Sequence, residues 1–145
     1  MPMLFVNILA AFLPFLAPTT PAADNLTTLN VVVSDLPSDK ATLKLYFYNE
    51  PSNFLVRNHY TMLKYVKPAG RRQLTYSVVV PPGEWAIAIT QDLNENDLVD
   101  RNFVGIPTEP FALSNNFKPR FKIPVFDDCK FPVSGRTTTV GITMK

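Results

Sequence analysis

Residues 74–90 read LTYSVVVPPGEWAIAIT and contain two apolar runs on either side of a Pro-Pro-Gly turn. In the first run every second residue is apolar or aromatic, and in the second Trp85, Ile87 and Ile89 alternate with smaller residues. A period of two is typical of β-strands that bury one face. Two such runs joined by a short Pro-Gly turn predict a pair of strands at hairpin distance.

Further runs with the same period occur on both sides of this stretch. The clearest is TLKLYFYN, residues 42–49, where leucine and phenylalanine alternate with lysine and tyrosine. Prolines are frequent (14) and glycines are few (5), which favours short strands and turns. Because alternating strands must bury one face against a second layer, we expect an all-β fold, an antiparallel β-sandwich of about seven strands. The expected strands span residues 29–34, 42–49, 60–66, 74–80, 84–90, 129–133 and 137–144.

The N-terminal segment is predicted to be a targeting signal. Residues 3–17, MLFVNILAAFLPFLA, are mostly apolar, and the small, turn-prone residues PTTPAAD follow them. This order is typical of a secretory signal peptide cleaved after Ala22 or Ala23. An asparagine and a proline interrupt the run, which makes it a poor membrane span, since spans need about 20 apolar residues. We therefore expect a signal peptide over residues 1–23, one domain over residues 24–145 without a transmembrane span, and a secreted or periplasmic location.

Charge and composition exclude several classes of function. The net charge is +2, and no basic cluster exceeds Arg71-Arg72, so we expect no nucleic-acid partner. The one cysteine, Cys129, excludes an intrachain disulfide, and its apolar neighbours predict a buried side chain. The one histidine, His59, is predicted to be a surface loop residue. With a single histidine and a single cysteine, no pattern typical of nucleophilic catalysis is present.

An acidic stretch, QDLNENDLVDRN over residues 91–102, follows the second apolar run directly. It places oxygen donors at alternate positions, which is the donor type that calcium binds at about 2.3–2.6 Å. The sequence therefore indicates a calcium site, with calcium as the candidate cofactor and Asp127 or Asp128 as an additional ligand. The candidate metal ligands are Asp92, Asn94, Asn96, the carbonyl of Leu98, and Asp100.

A second interpretation of the same stretch stays open. In an EF-hand the loop has a glycine at position six and a glutamate at position twelve. Here Asp97 and Phe103 stand at those positions, and no helical pattern flanks the loop, so it is not an EF-hand. Aspartate and asparagine also favour plain turns, because their side chains bond to the nearby backbone. The stretch is thus either a weak calcium site or a polar turn.

The segment after the acidic stretch, residues 103–116, contains Gly105, Pro107 and Pro110. These residues predict an irregular structure. An irregular segment of this length inside a compact domain is expected to pack against the sheet through its apolar residues or to be functional.

Three motifs carry a resemblance to a known family: Pro82-Gly83-Glu84-Trp85 before the acidic stretch, and Gly105-Ile106-Pro107-Thr108-Glu109 and Ser114-Asn115-Asn116 after it. From Leu74 onward the pattern resembles the bacterial secreted family known as domain of unknown function 2141. The resemblance implies an immunoglobulin-like or prealbumin-like sandwich, and it implies no known activity. This chain has Gln91 where the family tends to have histidine, and Asp97 where it tends to have glycine.

The first functional hypothesis is a non-enzymatic binding module, stabilised by calcium, with an envelope or extracellular partner. In this hypothesis the acidic stretch and the proline-rich segment after it form a rim at one end of the sandwich. A different hypothesis is a carrier that holds a small apolar molecule between the sheets. Its support is the three aromatic residues expected to be exposed, Tyr46, Tyr48 and Phe54.

The remaining hypothesis is a hydrolase that uses paired carboxylates as acid and base, with candidates Asp92, Asp97 and Glu109. No spacing among these residues is diagnostic of such a pair. We therefore expect that the protein is not an enzyme.

Overall fold

A computed structural model describes residues 25–99, 101 and 107–144 of the chain. The signal peptide predicted for residues 1–23 lies outside the described residues, as does Asp100. Among the described residues, no helix is long and apolar enough to span a bilayer.

The described chain forms eight strands, so the expected all-β sandwich is confirmed with one strand more than predicted. Helical structure is limited to two 3-10 turns, Pro51–Asn53 and Ser114–Asn116, and one α-helical turn, α1, Phe126–Cys129. The strands are β1 Thr27–Ser34, β2 Thr42–Tyr48, β3 Met62–Val66, β4 Leu74–Val80, β5 Gly83–Asp92, β6 Phe111–Leu113, β7 Phe131–Val133 and β8 Thr137–Thr143.

The strands are arranged in two sheets. The first sheet has the order β4-β1-β8, in which β1 is antiparallel to β4 and parallel to β8. The second sheet has the order β3-β2-β5-β6, with antiparallel neighbours, and β7 pairs with the beginning of β5. The long strand β5 is therefore the element that organises the second sheet.

The expected hairpin between β4 and β5 is wrong, although both strands are present. β4 pairs with β1 in the first sheet, whereas β5 pairs with β2 in the second, so Pro81-Pro82 connects the two layers. Proline fixes φ at about −65°, whereas the two-residue turns of hairpins need positive φ, so Pro81-Pro82 cannot form such a turn. Gly83 follows with φ of 146°, a conformation that side chains disfavour, and Trp85 Nε1 donates a hydrogen bond to the Pro81 carbonyl at 3.1 Å.

The core between the sheets contains the residues that alternation placed inward. The inward residues of β1, β2 and β5 are fully buried, which confirms the predicted faces of β2 and β5. Burying these aliphatic side chains is the main stabilising term of the sandwich. The fully buried members are Leu29, Val31, Val33, Leu43, Leu45, Phe47, Ile87 and Ile89.

A second hydrophobic cluster covers the other face of β2 and β5, which the sequence did not predict. Tyr48 and Phe54 are both buried in it, with ring centroids 5.3 Å apart. The ring centroids of Phe54 and Phe126 are 6.0 Å apart. The carrier hypothesis required Tyr48 and Phe54 to be exposed, and this expectation is wrong. Tyr46 is half-buried. The cluster consists of Tyr48, Phe54, Ala86, Ala88, Leu113, Phe126 and Cys129.

Two local predictions also need correction. The segment expected to be irregular contains β6, which pairs with Ala88–Thr90 and needs only three residues free of proline. The strand expected from Cys129 begins at Phe131, because the preceding residues form α1, whose Phe126 and Cys129 are buried. His59 is exposed and Cys129 is buried, as predicted.

Candidate functional site

The acidic stretch begins inside a strand rather than after one. β5 continues through Gln91 and Asp92, two residues beyond the predicted end. The register with β2 sets Thr42 opposite Asp92, so Lys44 is the diagonal neighbour of Asp92 on the same face. The strand thus fixes the position of the first acidic side chain, and only residues 93–99 form the turn after it. We call residues 92–99 the rim loop.

Asp92 forms a buried ion pair with Lys44. The distance from Lys44 Nζ to Asp92 Oδ2 is 3.1 Å, and the two side chains are 3% and 5% exposed. The same carboxylate accepts hydrogen bonds from the backbone N–H of Asn96 at 3.2 Å and of Asp97 at 2.8 Å. A buried charge is tolerated only when it is paired and hydrogen-bonded in this way. Asp92 therefore fastens the rim loop to β2.

The side-chain amide oxygens of the rim loop accept hydrogen bonds within the loop. Asn94 Oδ1 accepts a hydrogen bond from Asn96 N at 3.2 Å, and Asn96 Oδ1 accepts one from Leu98 N at 2.9 Å. Bonds from a side chain to the backbone two residues later are those expected of a polar turn. Glu95 and Asp97 have φ of 55° and 61°, the left-handed conformation. Asp97 thus adopts, without glycine, the backbone conformation for which glycine is usually required.

Lys44 contacts a second acid at the surface. Its Nζ lies 3.1 Å from Asp97 Oδ1, a carboxylate that is 74% exposed. Burial alone lowers the pKa of Lys44, but the two carboxylates outweigh burial and raise the pKa above 10.5. Burial alone raises the pKa of Asp92, but the Lys44 ammonium and the backbone N–H groups outweigh it and lower the pKa below 3.8. Both groups are therefore charged near neutral pH.

Gln91 fastens the neighbouring loop from the opposite face of β5. The side chain is fully buried, and its Nε2 donates to the carbonyls of Ser38 at 2.7 Å and Ala41 at 3.0 Å. Its Oε1 accepts from Ser38 N at 2.9 Å. An amide supplies both donors and an acceptor, which a neutral histidine could not match. Gln91 therefore has a structural role in this chain.

A cavity of about 270 Å³ lies beside the rim loop. Its lining carries both signs of charge, with the ammonium groups of two lysines and the carboxylates of three acidic residues. Tyr65 is 56% exposed at this position, so an aromatic surface adjoins the charged groups. The lining residues are Thr42, Lys44, Tyr65, Lys67, Asp92, Glu95 and Asp97.

The five predicted metal ligands are only partly brought together. Asp92 is buried, whereas Asn94, Asn96 and Leu98 are exposed in the turn, and Asp100 is outside the described residues. Within residues 25–99, 101 and 107–144, no group of three His, Cys, Asp or Glu residues could hold a metal ion. Calcium binding by the rim loop stays a prediction.

The two aspartates expected to assist the metal are engaged elsewhere. Asp127 pairs with Lys130 at 3.1 Å, and Asp128 pairs with Lys122 at 2.8 Å. Both lie on α1, directly before β7, which pairs with the beginning of β5. Asp92 lies at the opposite end of β5, and the strand from Trp85 to Asp92 is roughly 20 Å long at about 3.3 Å per residue.

Four further side chains are ionisable or nucleophilic: Cys129, His59, Glu109 and Asp97. Burial and, to a smaller extent, the charge of Asp128 raise the pKa of Cys129 to about 12, so the thiol stays protonated. His59 is exposed, Glu109 is buried with 7% of its surface exposed, and Asp97 is paired with Lys44. Sequence reasoning missed Lys44 and Gln91. The available signal for Lys44 was its position between buried leucines on an alternating strand.

Comparison with known proteins identifies the chain at the family level. Residues 31–141 match the sequence model of a family described as uncharacterized protein conserved in bacteria (DUF2141). The matched segment begins in β1 and ends in β8, so it includes most of the sandwich, the rim loop and α1. Neither the curated proteins nor the solved structures include a match.

Proposed function

We propose that this chain, which belongs to the DUF2141 family of proteins conserved in bacteria, is a non-enzymatic secreted or periplasmic binding module. Its binding surface is the rim loop together with the cavity of about 270 Å³ beside it. The observation that carries the proposal is the buried ion pair between Lys44 and Asp92.

The ion pair argues against acid–base chemistry at the rim. A general acid or base must reach its substrate and exchange a proton near the working pH. Asp92 is 5% exposed at its side chain, and its oxygens accept from Lys44 and from two backbone N–H groups. The lowered pKa that Lys44 and these groups cause, against the effect of burial, keeps Asp92 ionised. The carboxylate is therefore suited to holding the loop in place.

The cavity beside the loop is suited to a ligand that carries both signs of charge. Lys67, Tyr65 and Glu95 are exposed members of its lining. A small molecule with an amine and a carboxylate, or such groups on a partner protein, would meet complementary charges there. A heteronuclear NMR titration of the mature protein with free amino acids tests this proposal. Shifts confined to the rim residues support it, and shifts scattered over both sheets or absent contradict it.

Calcium binding by the rim loop is a second candidate. Two observations favour it: alternate oxygen donors follow Asp92, and Asp97 adopts the left-handed backbone that a calcium loop usually takes from glycine. The ammonium of Lys44 opposes it. A calcium ion bound to Asp92 Oδ2 at about 2.3–2.6 Å would lie within about 6 Å of the Lys44 ammonium, and the two cations would repel each other.

Melting curves with calcium and with a chelator separate the two candidates. If Lys44 is sufficient to neutralise the loop, the melting temperature is the same in millimolar calcium and in chelator. If calcium binds, it raises the melting temperature of the wild type but not of the Asn94→Ala/Asn96→Ala double variant. This double variant is the suitable control, because it removes two donors and retains the ion pair between Lys44 and Asp92.

The location and the absence of enzymatic activity are tested separately. Expression of the full chain in a bacterial host, followed by mass measurement of the periplasmic product, is expected to show cleavage after Ala22 or Ala23. A product that retains these residues in the cytoplasm contradicts the location. A screen of polysaccharide and peptide hydrolysis is expected to show no turnover. Turnover that disappears in Glu109→Gln would establish the hydrolase instead.

A further inference from the structure

A second loop, far from the rim in sequence, presents apolar residues to solvent. Residues 118–125, KPRFKIPV, connect the 3-10 turn Ser114–Asn116 and Phe117 to α1, and we call them the basic loop. Phe121 is 100% exposed, Ile123 is 84% exposed and Val125 is 54% exposed. Soluble proteins rarely leave neighbouring large apolar side chains in water without a function.

Two residues of the basic loop, Lys122 and Val125, contact the rest of the domain. Lys122 Nζ lies 5.6 Å from the centre of the Phe117 ring and pairs with Asp128 Oδ1 at 2.8 Å. The other oxygen of Asp128 accepts a hydrogen bond from Val125 N at 3.0 Å. Phe126, which follows at once, is buried in the second hydrophobic cluster. These contacts join the middle and the end of the basic loop to α1 and to Phe117.

The charges of the basic loop all have one sign. Residues 118–125 contain Lys118, Arg120 and Lys122 and no acidic residue. Lys122 is paired with Asp128, whereas Lys118 and Arg120 are in no ion pair within the described part of the chain. The loop therefore presents two uncompensated cations around two fully or nearly fully exposed apolar side chains.

We propose that the basic loop binds an anionic lipid bilayer, with Phe121 and Ile123 inserted below the headgroups and Lys118 and Arg120 on the lipid phosphates. Apolar side chains gain by leaving water for the boundary between headgroups and acyl chains. Each nearby lysine or arginine adds attraction to an anionic surface. The loop is separate from the rim, so this proposal does not depend on what the rim binds.

A lipid surface suits the geometry better than an acidic protein does. The apolar residues protrude from a short loop, and a protein interface of ordinary affinity needs a broad complementary surface on both partners. A bilayer accepts a protruding apolar side chain without shape complementarity. Charge alone would also attract an acidic protein, but it would not require Phe121 to be fully exposed.

Sedimentation of the mature protein with lipid vesicles tests the proposal. We expect binding to vesicles of phosphatidylcholine with phosphatidylglycerol, and much weaker binding to phosphatidylcholine alone. Phe121→Ser is expected to weaken binding roughly tenfold to a hundredfold, which corresponds to the burial of one phenylalanine side chain. Arg120→Gln is expected to weaken binding roughly fivefold. Added salt is expected to reduce the difference in binding between anionic and neutral vesicles.

Matched controls come from exposed residues elsewhere. Val79→Ser removes an apolar side chain that is 58% exposed on β4, and Arg71→Gln removes an exposed cation from another loop. Both are expected to leave vesicle binding unchanged. Absence of binding to the anionic vesicles overturns the proposal, as does equal binding by the wild type and Phe121→Ser. Binding to immobilised polyglutamate that needs Arg120 but not Phe121 also overturns it, in favour of an acidic protein partner.

Discussion

The rim loop and the basic loop have the same length and opposite arrangements. In the rim loop, Asp92, Asn94 and Asn96 direct their oxygens to Lys44 or to backbone N–H groups of the loop itself. In the basic loop, Lys122 contacts Asp128 and Phe117, whereas Phe121 remains fully exposed. The loop that appeared functional in the sequence is thus largely engaged in structure, and the loop without a motif has side chains available for a partner.

The largest expected effect tests how strongly the rim loop is fastened. Lys44→Met leaves the Asp92 carboxylate buried without its counter-ion, so the free energy of unfolding should fall by about 3–5 kcal/mol. Urea denaturation measures this change. The control Lys67→Met, at an exposed lysine of the same cavity, should change it by less than about 0.5 kcal/mol.

The double variant Lys44→Met/Asp92→Leu sharpens the same comparison. Replacing both members of a buried pair by apolar residues is often neutral, so most of the lost stability should return. If the double variant is as unstable as Lys44→Met, the ion pair is not the element that fastens the rim loop.

The next largest effect concerns Gln91, on the other face of β5. Gln91→Leu removes three hydrogen bonds and leaves Ser38 and Ala41 without these partners, at a cost of about 2–3 kcal/mol. Gln73→Leu, at an exposed glutamine, is the control and should lie within about 0.5 kcal/mol of the wild type. Equal effects of the two substitutions would mean that the buried amide has no special role.

The pH dependence of stability reports on the same ion pair. Against the effect of burial, Lys44 and the backbone N–H groups lower the pKa of Asp92 below 3.8, so its contribution is present above that pH and is lost as the pH falls through the lowered pKa. Against burial again, Asp97 and Asp92 raise the pKa of Lys44 above 10.5, so its contribution is present below that pH and is lost as the pH rises further. The free energy of unfolding of Asp92→Asn, measured by urea denaturation across the acidic range, should not show this loss at low pH.

A smaller effect is expected at Asp97. Asp97→Gly removes an exposed ion-pair partner of Lys44 and relieves a left-handed aspartate, and these two changes oppose each other. The free energy of unfolding should therefore change by less than about 1 kcal/mol. A much larger loss would show that Asp97, rather than Asp92, fastens the rim loop to Lys44.

The smallest effect distinguishes the basic loop from the cluster beneath it. Phe121→Ser should change the free energy of unfolding by less than about 0.5 kcal/mol, because the side chain contacts water in the free protein. Phe126→Ala, five positions further and buried at 4% exposure, should cost about 3–5 kcal/mol. If Phe121→Ser destabilises the protein as Phe126→Ala does, the basic loop is a packed element and not an available surface.

The sequence predicted where the strands lie better than it predicted which strands pair with each other. β4 ends at Val80 as expected, because Pro81-Pro82 terminates any strand. The alternation that defines β4 and β5 is the same whether two strands share a sheet or face each other across the core, so the hairpin error could not be avoided by periodicity.

The site was predicted in part for a related reason. The acidic residues are adjacent in sequence, and they were found. Lys44 reaches Asp92 only through the register between β2 and β5, which no local pattern specifies. Phe121 was overlooked because exposure is a property of the folded surface, and an apolar residue between prolines is not by itself unusual.

The parallel pairing of β1 with β8 has a consequence for how the domain folds. β1 is the middle strand of the first sheet, between β4 and β8. Because β8 begins only at Thr137, one edge of β1 remains unpaired until almost the whole domain has been synthesised. Such long-range pairing slows folding and exposes an aggregation-prone strand in the meantime. Truncation before Thr137 would therefore leave the first sheet incomplete. During synthesis, which proceeds from the N-terminus, this sheet is completed last.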